Sequence, residues 1–174
     1  MLTYYLLVLR FVHIVASVCW AGGALIFFFF VEPTAKALAP MGSQFVQHMV
    51  TKRRYSIFMA MASTLTVLSG ALLIWQIAGG RWLDYMSTGP GLGFVLGSVV
   101  GALVYLVGMF GVKPRADRMA KIGQEIQAAG GPPMPQQGAE LHKLDKEMST
   151  LGLIDIVLVA VSLTLMATAR YWPI

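Results

Sequence analysis

Four long apolar runs occupy most of the chain, and their length constrains the fold more than any other feature of the sequence. They cover Tyr4–Val31, Tyr55–Ala78, Gly91–Val112 and Leu151–Trp172. A helix of about 20 residues crosses the hydrocarbon core of a bilayer, so each run is long enough to span it. Because lipid offers the backbone no hydrogen-bond partners, the runs are predicted to be helices.

The composition agrees with an integral membrane protein. Of the 174 residues, 57% are hydrophobic and only 12% are charged, which is about half the charge content of a soluble domain. We therefore predict an all-α integral membrane fold, a four-transmembrane-helix up-down-up-down bundle with cytoplasmic helical extensions. The expected spans are residues 4–31, 55–78, 91–112 and 149–171 of a single domain that covers 1–174.

Basic residues are concentrated in two of the three loops. Ten of the 13 lysine and arginine residues lie between the first and second runs or between the third and fourth. The positive-inside rule makes these loops cytoplasmic and puts both termini outside, so we predict a multi-pass protein of the bacterial cytoplasmic (inner) membrane. The net charge of +5 then indicates contact with anionic lipid head groups rather than nucleic-acid binding.

The loops contain their own helix signals. Pro33 follows the first run and is predicted to end its helix, because proline lacks an amide donor. In the long third loop, Pro114–Ala129 is predicted to be an amphipathic helix, and a second helix is expected to begin near Gln137 and to continue into the fourth span.

Polar side chains inside the spans are the best indicators of a functional site, because they are costly in lipid. His13 is the only histidine within a span. At about 100° per residue it shares a helix face with Ser17 and Trp20, and Arg10 lies close to that face. A neutral imidazole here can be a core residue with one hydrogen bond, or it can ligate haem iron or another metal.

The fourth span adds two further candidates. Asp155 is the only acidic residue in the apolar runs; it could serve a proton path, bind a ligand or make a structural hydrogen bond. Met166 is predicted to lie nearer to the depth of His13, with Asp155 about two helical turns away along the axis. His13 and Met166 are therefore a candidate haem ligand pair, although a methionine in a membrane helix can also be simple packing.

A stripe of small residues marks the third span. Gly93, Gly97 and Gly101 repeat every four residues and are followed by Tyr105. Such a stripe lets another helix approach closely, whether from this chain, a second copy or a partner subunit, and it can equally leave room for a flat cofactor. In the loops, His48 and His142 could form a weak metal site or be ordinary surface histidines.

The sequence resembles a known family in its first two spans. The segments that carry the resemblance are Arg10-Phe11-Val12-His13, Trp20-Ala21-Gly22-Gly23, Arg54-Tyr55-Ser56 and Ser69-Gly70. They resemble the copper-resistance protein D (CopD)-like superfamily of small bacterial membrane proteins. The first span is also similar to that of HemJ-type protoporphyrinogen oxidases, which are thought to hold a b-type haem, and this resemblance implies that His13 is an axial ligand.

The chain differs from the HemJ-type enzymes after the shared segment. It has Phe27–Phe30 where they have a tyrosine and an arginine, and it lacks their lysine in a later span. Enzymatic activity is therefore not our first expectation; if there is one, we expect an oxidoreductase. No nucleophile–base set, phosphate loop or zinc spacing predicts a hydrolase.

Three functional hypotheses follow. The first is a b-type haem-binding redox protein, or an accessory subunit of a membrane electron-transfer complex. Its predicted cofactor-binding residues are His13, Ser17, Trp20 and Met166, with His13 as the metal ligand and Arg10, Asp155 and Tyr105 as further polar groups. The second is a cofactor-free subunit that packs against a larger membrane complex or a second copy through Gly93, Gly97 and Gly101. The third is a copper or small-solute transporter that uses Asp155 and His13.

Overall fold

The computed structural model describes residues 1–173, and it is built from helices. The first long helix, Leu2–Ala37, consists of α1 (Leu2–Ile26), a π-helical segment (Phe27–Val31) and α2 (Glu32–Ala37). Then follow α3 (Met41–Thr51), α4 (Tyr55–Ala78) and the short α5 (Trp82–Met86). The second long helix, Gly89–Ala129, joins α6 (Gly89–Leu106), a π-helical segment (Val107–Val112) and α7 (Lys113–Ala129). The last helix, α8 (Pro135–Thr168), ends in a 3-10 turn (Ala169–Tyr171).

The all-α membrane fold predicted from the apolar runs is confirmed. Four helices are long and apolar enough to cross a membrane, and their best segments have a mean hydropathy of 2.1 to 2.3. No strand occurs in residues 1–173. Large apolar side chains such as Leu7, Phe11 and Val18 point outward along these helices, as expected where lipid is the surrounding medium.

Proline does not end the first helix, so that prediction was wrong. The helix continues past Pro33 to Ala37, and a π-helical segment, Phe27–Val31, lies directly before the proline. The same arrangement recurs at Pro114, which follows the π-helical segment Val107–Val112. A proline ring clashes with the carbonyl four residues earlier. The wider π turn changes the hydrogen bonding there, so the helix can continue.

The helices of the third loop are as predicted, apart from their first residues. The helix expected over Pro114–Ala129 is α7, and the helix expected near Gln137 begins two residues earlier, at Pro135. α7 continues directly from the third span, and α8 begins before the fourth span and continues into it, so both helices extend beyond the apolar spans. We call this end of the bundle, which also contains α2 and α3, the extension end. The opposite end, which contains α5 and the 3-10 turn at Ala169–Tyr171, is the terminal end.

The four spans associate as two antiparallel pairs, α1 with α4 and α6 with α8. In the first pair, Gly23 lies against Met59, and Gly70 lies against His13. In the second pair, Gly89 lies against Trp172, and Gly111 lies against Leu151. Fewer contacts join one pair to the other, which leaves space between the pairs along the bundle axis.

Ion pairs hold the extension end together. Arg118 binds Glu140 through both Nε and Nη2, at 2.7 and 2.9 Å, and Arg115 Nε donates to Glu147 at 2.6 Å. These hydrogen bonds lower the pKa of both glutamates below the ordinary value. The pairs fix α7 on the part of α8 that precedes the fourth span.

Candidate functional site

A cavity of about 650 Å³ lies between the two helix pairs. All four spans contribute to its wall, whose residues include His13, Ser17, Trp20, Gly22, Thr66, Gly70, Ser98, Gly101, Ser162 and Met166. We call it the histidine cavity. Sites for cofactors and small molecules are mostly apolar hollows of about 300–1,000 Å³ with a few polar groups. The histidine cavity has the size and the composition of such a site.

The imidazole of His13 is oriented by the backbone of α4. Its Nδ1 lies 2.9 Å from the carbonyl oxygen of Thr66 and 3.3 Å from Oγ of Ser69. The Ser69 hydroxyl donates to the carbonyl of Leu65 at 2.5 Å. A carbonyl can only accept, so the His13–Thr66 hydrogen bond requires the proton on Nδ1, and the neutral ring then has its lone pair on Nε2. Within residues 1–173, nothing hydrogen-bonds to Nε2.

Gly70 makes room for this ring. A Cβ atom at position 70 would lie 2.8 Å from Cε1 and 3.1 Å from Nδ1 of His13, closer than van der Waals contact allows. Ser17 supports the same region from within α1, where its hydroxyl donates to the carbonyl of His13 at 2.6 Å. The ring is thus confined from the α4 side, and it borders the histidine cavity.

Met166 contributes to the wall that α8 forms. Its Cγ lies 3.0 Å from the position that a Cβ of residue 97 would take, so the thioether side chain packs over Gly97. Nearby, the hydroxyl of Ser162 donates to the carbonyl of Gly97 at 2.9 Å. The structure therefore brings the four predicted cofactor-binding residues, His13, Ser17, Trp20 and Met166, to one cavity.

A second, smaller cavity lies nearer the extension end, and we call it the aspartate cavity. Its volume is about 150 Å³. The residues that distinguish it are Trp20, Phe27, Phe28, Glu32, Tyr55, Ser56, Ser63, Lys113 and Asp155. Oδ1 of Asp155 is buried and has no hydrogen-bond partner among the described residues. Asp155 therefore lies outside the histidine cavity, and Trp20 is a wall of both cavities.

The glycine stripe of α6 is used inside the chain. A Cβ at Gly93 would approach Ala169 of the 3-10 turn to 2.8 Å, and a Cβ at Gly97 would approach Met166 of α8 to 3.0 Å. A Cβ at Gly101 would lie 3.2 Å from the hydroxyl oxygen of Ser162, and Gly101 also borders the histidine cavity. The idea that this face contacts a second copy or a partner subunit needs correction, because α8 already covers it. Close packing and space for a ligand are both found along the one stripe.

The remaining polar candidates lie elsewhere. Arg10 is exposed and borders neither cavity. The hydroxyl of Tyr105 lies 3.3 Å from Oγ1 of Thr64, which links α6 to α4. His48 and His142 are both exposed. No group of three or more histidine, cysteine or acidic side chains suited to a metal ion occurs in the described part of the chain.

Sequence reasoning missed the partner that orients His13. The carbonyl of Thr66 is a backbone group, so no residue type announces it. The sequence signal that could have revealed a close contact is Gly70, which follows Ser69 in the middle of an apolar helix, where a glycine lowers stability.

Comparisons of this chain with protein-family models, with curated proteins and with solved structures found no match.

Proposed function

We propose that this membrane protein binds a b-type haem through His13 and acts as a redox protein or as an accessory subunit of an electron-transfer complex. The observation that supports this best is the hydrogen bond from His13 Nδ1 to the carbonyl of Thr66, at 2.9 Å. Histidines that bind metals commonly donate their other ring N–H to a carbonyl or carboxylate, which fixes the tautomer and the ring plane. His13 has this arrangement in a cavity of about 650 Å³.

Met166 is the proposed second ligand. It borders the same cavity as His13 but comes from α8, so the two candidate donors belong to different helix pairs. A histidine and a methionine together are a known set of haem ligands that raises the reduction potential. Haem, when bound, supplies one-electron redox chemistry.

The rest of the wall would serve to hold a flat, largely apolar group. Gly22, Gly101 and Ala102 add little bulk, and Val67 and Val159 are apolar. Ser98 and Ser162 are polar residues of the wall; the Ser98 hydroxyl can donate a hydrogen bond, whereas the Ser162 hydroxyl donates to the Gly97 carbonyl and can still accept one. The similarity of the first span to haem-binding membrane proteins supports the same proposal. The basic extension end supports a cytoplasmic position for that end in a bacterial inner membrane.

The test is an absorption spectrum. We expect the protein, purified in detergent and supplied with haem b, to show a Soret band that His13→Ala removes. Met166→Leu should retain haem but lower its reduction potential, because a thioether ligand favours the ferrous state. Met61→Leu is the matched control, since Met61 is an exposed methionine on the outer face of α4.

Two results would count against the proposal. The first is wild-type protein that stays colourless after incubation with haem b while remaining folded by circular dichroism. The second is a Soret band of unchanged position and intensity in His13→Ala, which would mean that any bound haem is held elsewhere.

A further inference from the structure

The aspartate cavity shares Trp20 with the histidine cavity, but its other wall residues are different and their chemistry points to a ligand of its own. We propose that it binds a small organic cation, an ammonium group of about the size of tetramethylammonium. The proposal combines an unpartnered buried carboxyl oxygen, aromatic walls and a restricted volume, and it does not depend on haem binding.

The carboxyl group of Asp155 has an oxygen that lacks a partner within residues 1–173. Its Oδ1 is buried, and no donor among the described residues reaches it. A buried polar atom without a hydrogen bond is unfavourable, and a buried carboxylate without a countercharge is more so. A cation in the adjacent cavity would supply the missing electrostatic partner and the countercharge.

Other charges around this cavity are already paired. Glu32 forms an ion pair with Lys36 at 2.8 Å, and Lys113 forms one with Asp117 at 2.5 Å. Among the described residues, Lys113 is the only basic one that borders the cavity. Asp155 is thus the uncompensated acid of this wall within residues 1–173, which favours a positively charged ligand over a neutral or anionic one.

Aromatic side chains form much of the remaining wall. Trp20, Phe27, Phe28 and Tyr55 all border the cavity. The rings of Phe27 and Tyr55 stack with centroids 5.7 Å apart, and the Tyr55 hydroxyl donates to the carbonyl of Gly23 at 2.9 Å, so this side of the wall is fixed. Aromatic rings attract cations through their negative faces, and groups of such rings recognise quaternary ammonium ions.

The volume limits the size of the ligand. The cavity measures about 150 Å³, and a protein cavity of about that volume is known to admit benzene. A ligand of five to seven heavy atoms is therefore expected, on the order of what such a cavity holds.

The probe for this site is tetramethylammonium, compared with the neutral tert-butanol of similar shape. We expect isothermal titration of the full-length protein in detergent to give one tetramethylammonium site, with tert-butanol binding at least about tenfold more weakly because it lacks the charge. Asp155→Asn should weaken tetramethylammonium binding by at least about tenfold and remove the preference for the cation. Asp145→Asn is the matched control, since Asp145 lies at the extension end and pairs with Lys36.

Two further variants keep the test decisive. Phe27→Leu retains the carboxyl group but removes one ring, and it should weaken tetramethylammonium binding severalfold while leaving tert-butanol unchanged. His13→Ala removes the proposed haem ligand and should leave tetramethylammonium binding as in the wild type, so the two proposals fail independently. Equal affinity for the two probes, or an unchanged tetramethylammonium affinity in Asp155→Asn, would overturn the proposal and leave Asp155 a hydrated or protonated group.

Discussion

The two helix pairs are joined by different means. α1 and α4 are tied by side chains that donate to backbone carbonyls across the pair, His13 to Thr66 and Tyr55 to Gly23, both at 2.9 Å. We call this contact the polar seam. α6 instead packs closely on α8 at Gly97 and on the 3-10 turn after α8 at Gly93, supplemented by the hydrogen bond from Ser162 to the Gly97 carbonyl, and we call this contact the glycine seam. Burial of apolar surface does not drive helices together in lipid, so close packing and hydrogen bonds are the two means available.

The difference distinguishes residues that mainly hold two helices together from residues that also border a cavity. The glycine seam sets the distance between two backbones, and at Gly93 the two nearest atoms belong to the small residue Ala169. The polar seam involves His13 and Tyr55, which also form walls of the two cavities. A substitution at Gly93, which borders neither cavity, should therefore act on folding, whereas substitutions in the polar seam should act first on what the cavities bind.

Gly93→Leu should have the largest effect on stability. A Cβ at position 93 would lie 2.8 Å from Cβ and 2.9 Å from Cα of Ala169. Because the backbone at Ala169, in the 3-10 turn that follows α8, cannot rotate away as a side chain can, α6 and the end of α8 must separate, at a cost of about 3 kcal/mol. Gly22→Ala is the control, since a Cβ at position 22 meets nothing within 4 Å. Thermal unfolding in detergent measures the difference, and equal midpoints for the two variants would contradict the importance of the glycine seam.

Gly70→Ala should spare the fold and affect the histidine cavity. The added Cβ would meet Cε1 of His13 at 2.8 Å, but a side chain can rotate away, so the loss of stability should be about 1 kcal/mol. The rotated ring loses its hydrogen bond to Thr66, and haem affinity should fall about 10- to 100-fold, as for other disrupted supports of metal ligands.

A haem titration followed by absorbance measures this loss. Gly108→Ala is the control, because Cβ of residue 108 would have open space around it. Undiminished haem affinity in Gly70→Ala would show that the orientation of His13 does not matter for binding.

Tyr55→Phe tests the other hydrogen bond of the polar seam. It removes the hydroxyl that donates to Gly23 at 2.9 Å, while the Gly23 carbonyl keeps its helical bond from the Phe27 amide. Hydrogen bonds between membrane helices contribute about 0.6 kcal/mol on average, so a loss of that order is expected. Tyr4→Phe, at an exposed tyrosine, should change the unfolding free energy by less. If Tyr55→Phe lowered the unfolding free energy no more than Tyr4→Phe, the hydrogen bond from Tyr55 to Gly23 would not contribute to the association of α1 with α4.

The sequence predicted the spans well because membrane helices are encoded locally. Apolar length alone located α4 at its observed bounds, Tyr55–Ala78. Helical periodicity likewise grouped His13, Ser17 and Trp20, and depth along the spans suggested Met166; all four border one cavity. These inferences need only the rise and the angle per residue, which hardly vary from one helix to another.

What the sequence could not supply depends on how one helix lies against the next. The contact between His13 and the Thr66 carbonyl requires the relative position of α1 and α4 along their axes. The division of the interior into two cavities, with Trp20 in the wall of both, likewise depends on how the four spans pack together. At Pro33, a local rule gave the wrong answer because a π-helical segment can relieve the clash that ends an ordinary helix.

Acidification should have the smallest effect, and it should be confined to the extension end. There α7 and α8 continue beyond the glycine seam and are joined by Arg118–Glu140 and Arg115–Glu147. The pKa of each glutamate is lowered in the folded protein, first by its hydrogen bond from arginine. A carboxylate of this kind stabilises the fold above its ordinary pKa of 4.5, and the contribution is lost as the pH falls through the lowered folded value.

Because both ion pairs are exposed, the effect of acid on them is local and modest. Hydrogen–deuterium exchange at about pH 6 and about pH 3.5, corrected for the intrinsic rate, should show faster exchange in α7 at the lower pH. Glu140→Gln should make α7 exchange faster already at the higher pH, whereas Asp84→Asn, an exposed acid at the terminal end, should not. If α4 and α6 lost protection together with α7, the extension and the membrane bundle would form one cooperative unit, and the ion pairs would matter to the seams as well.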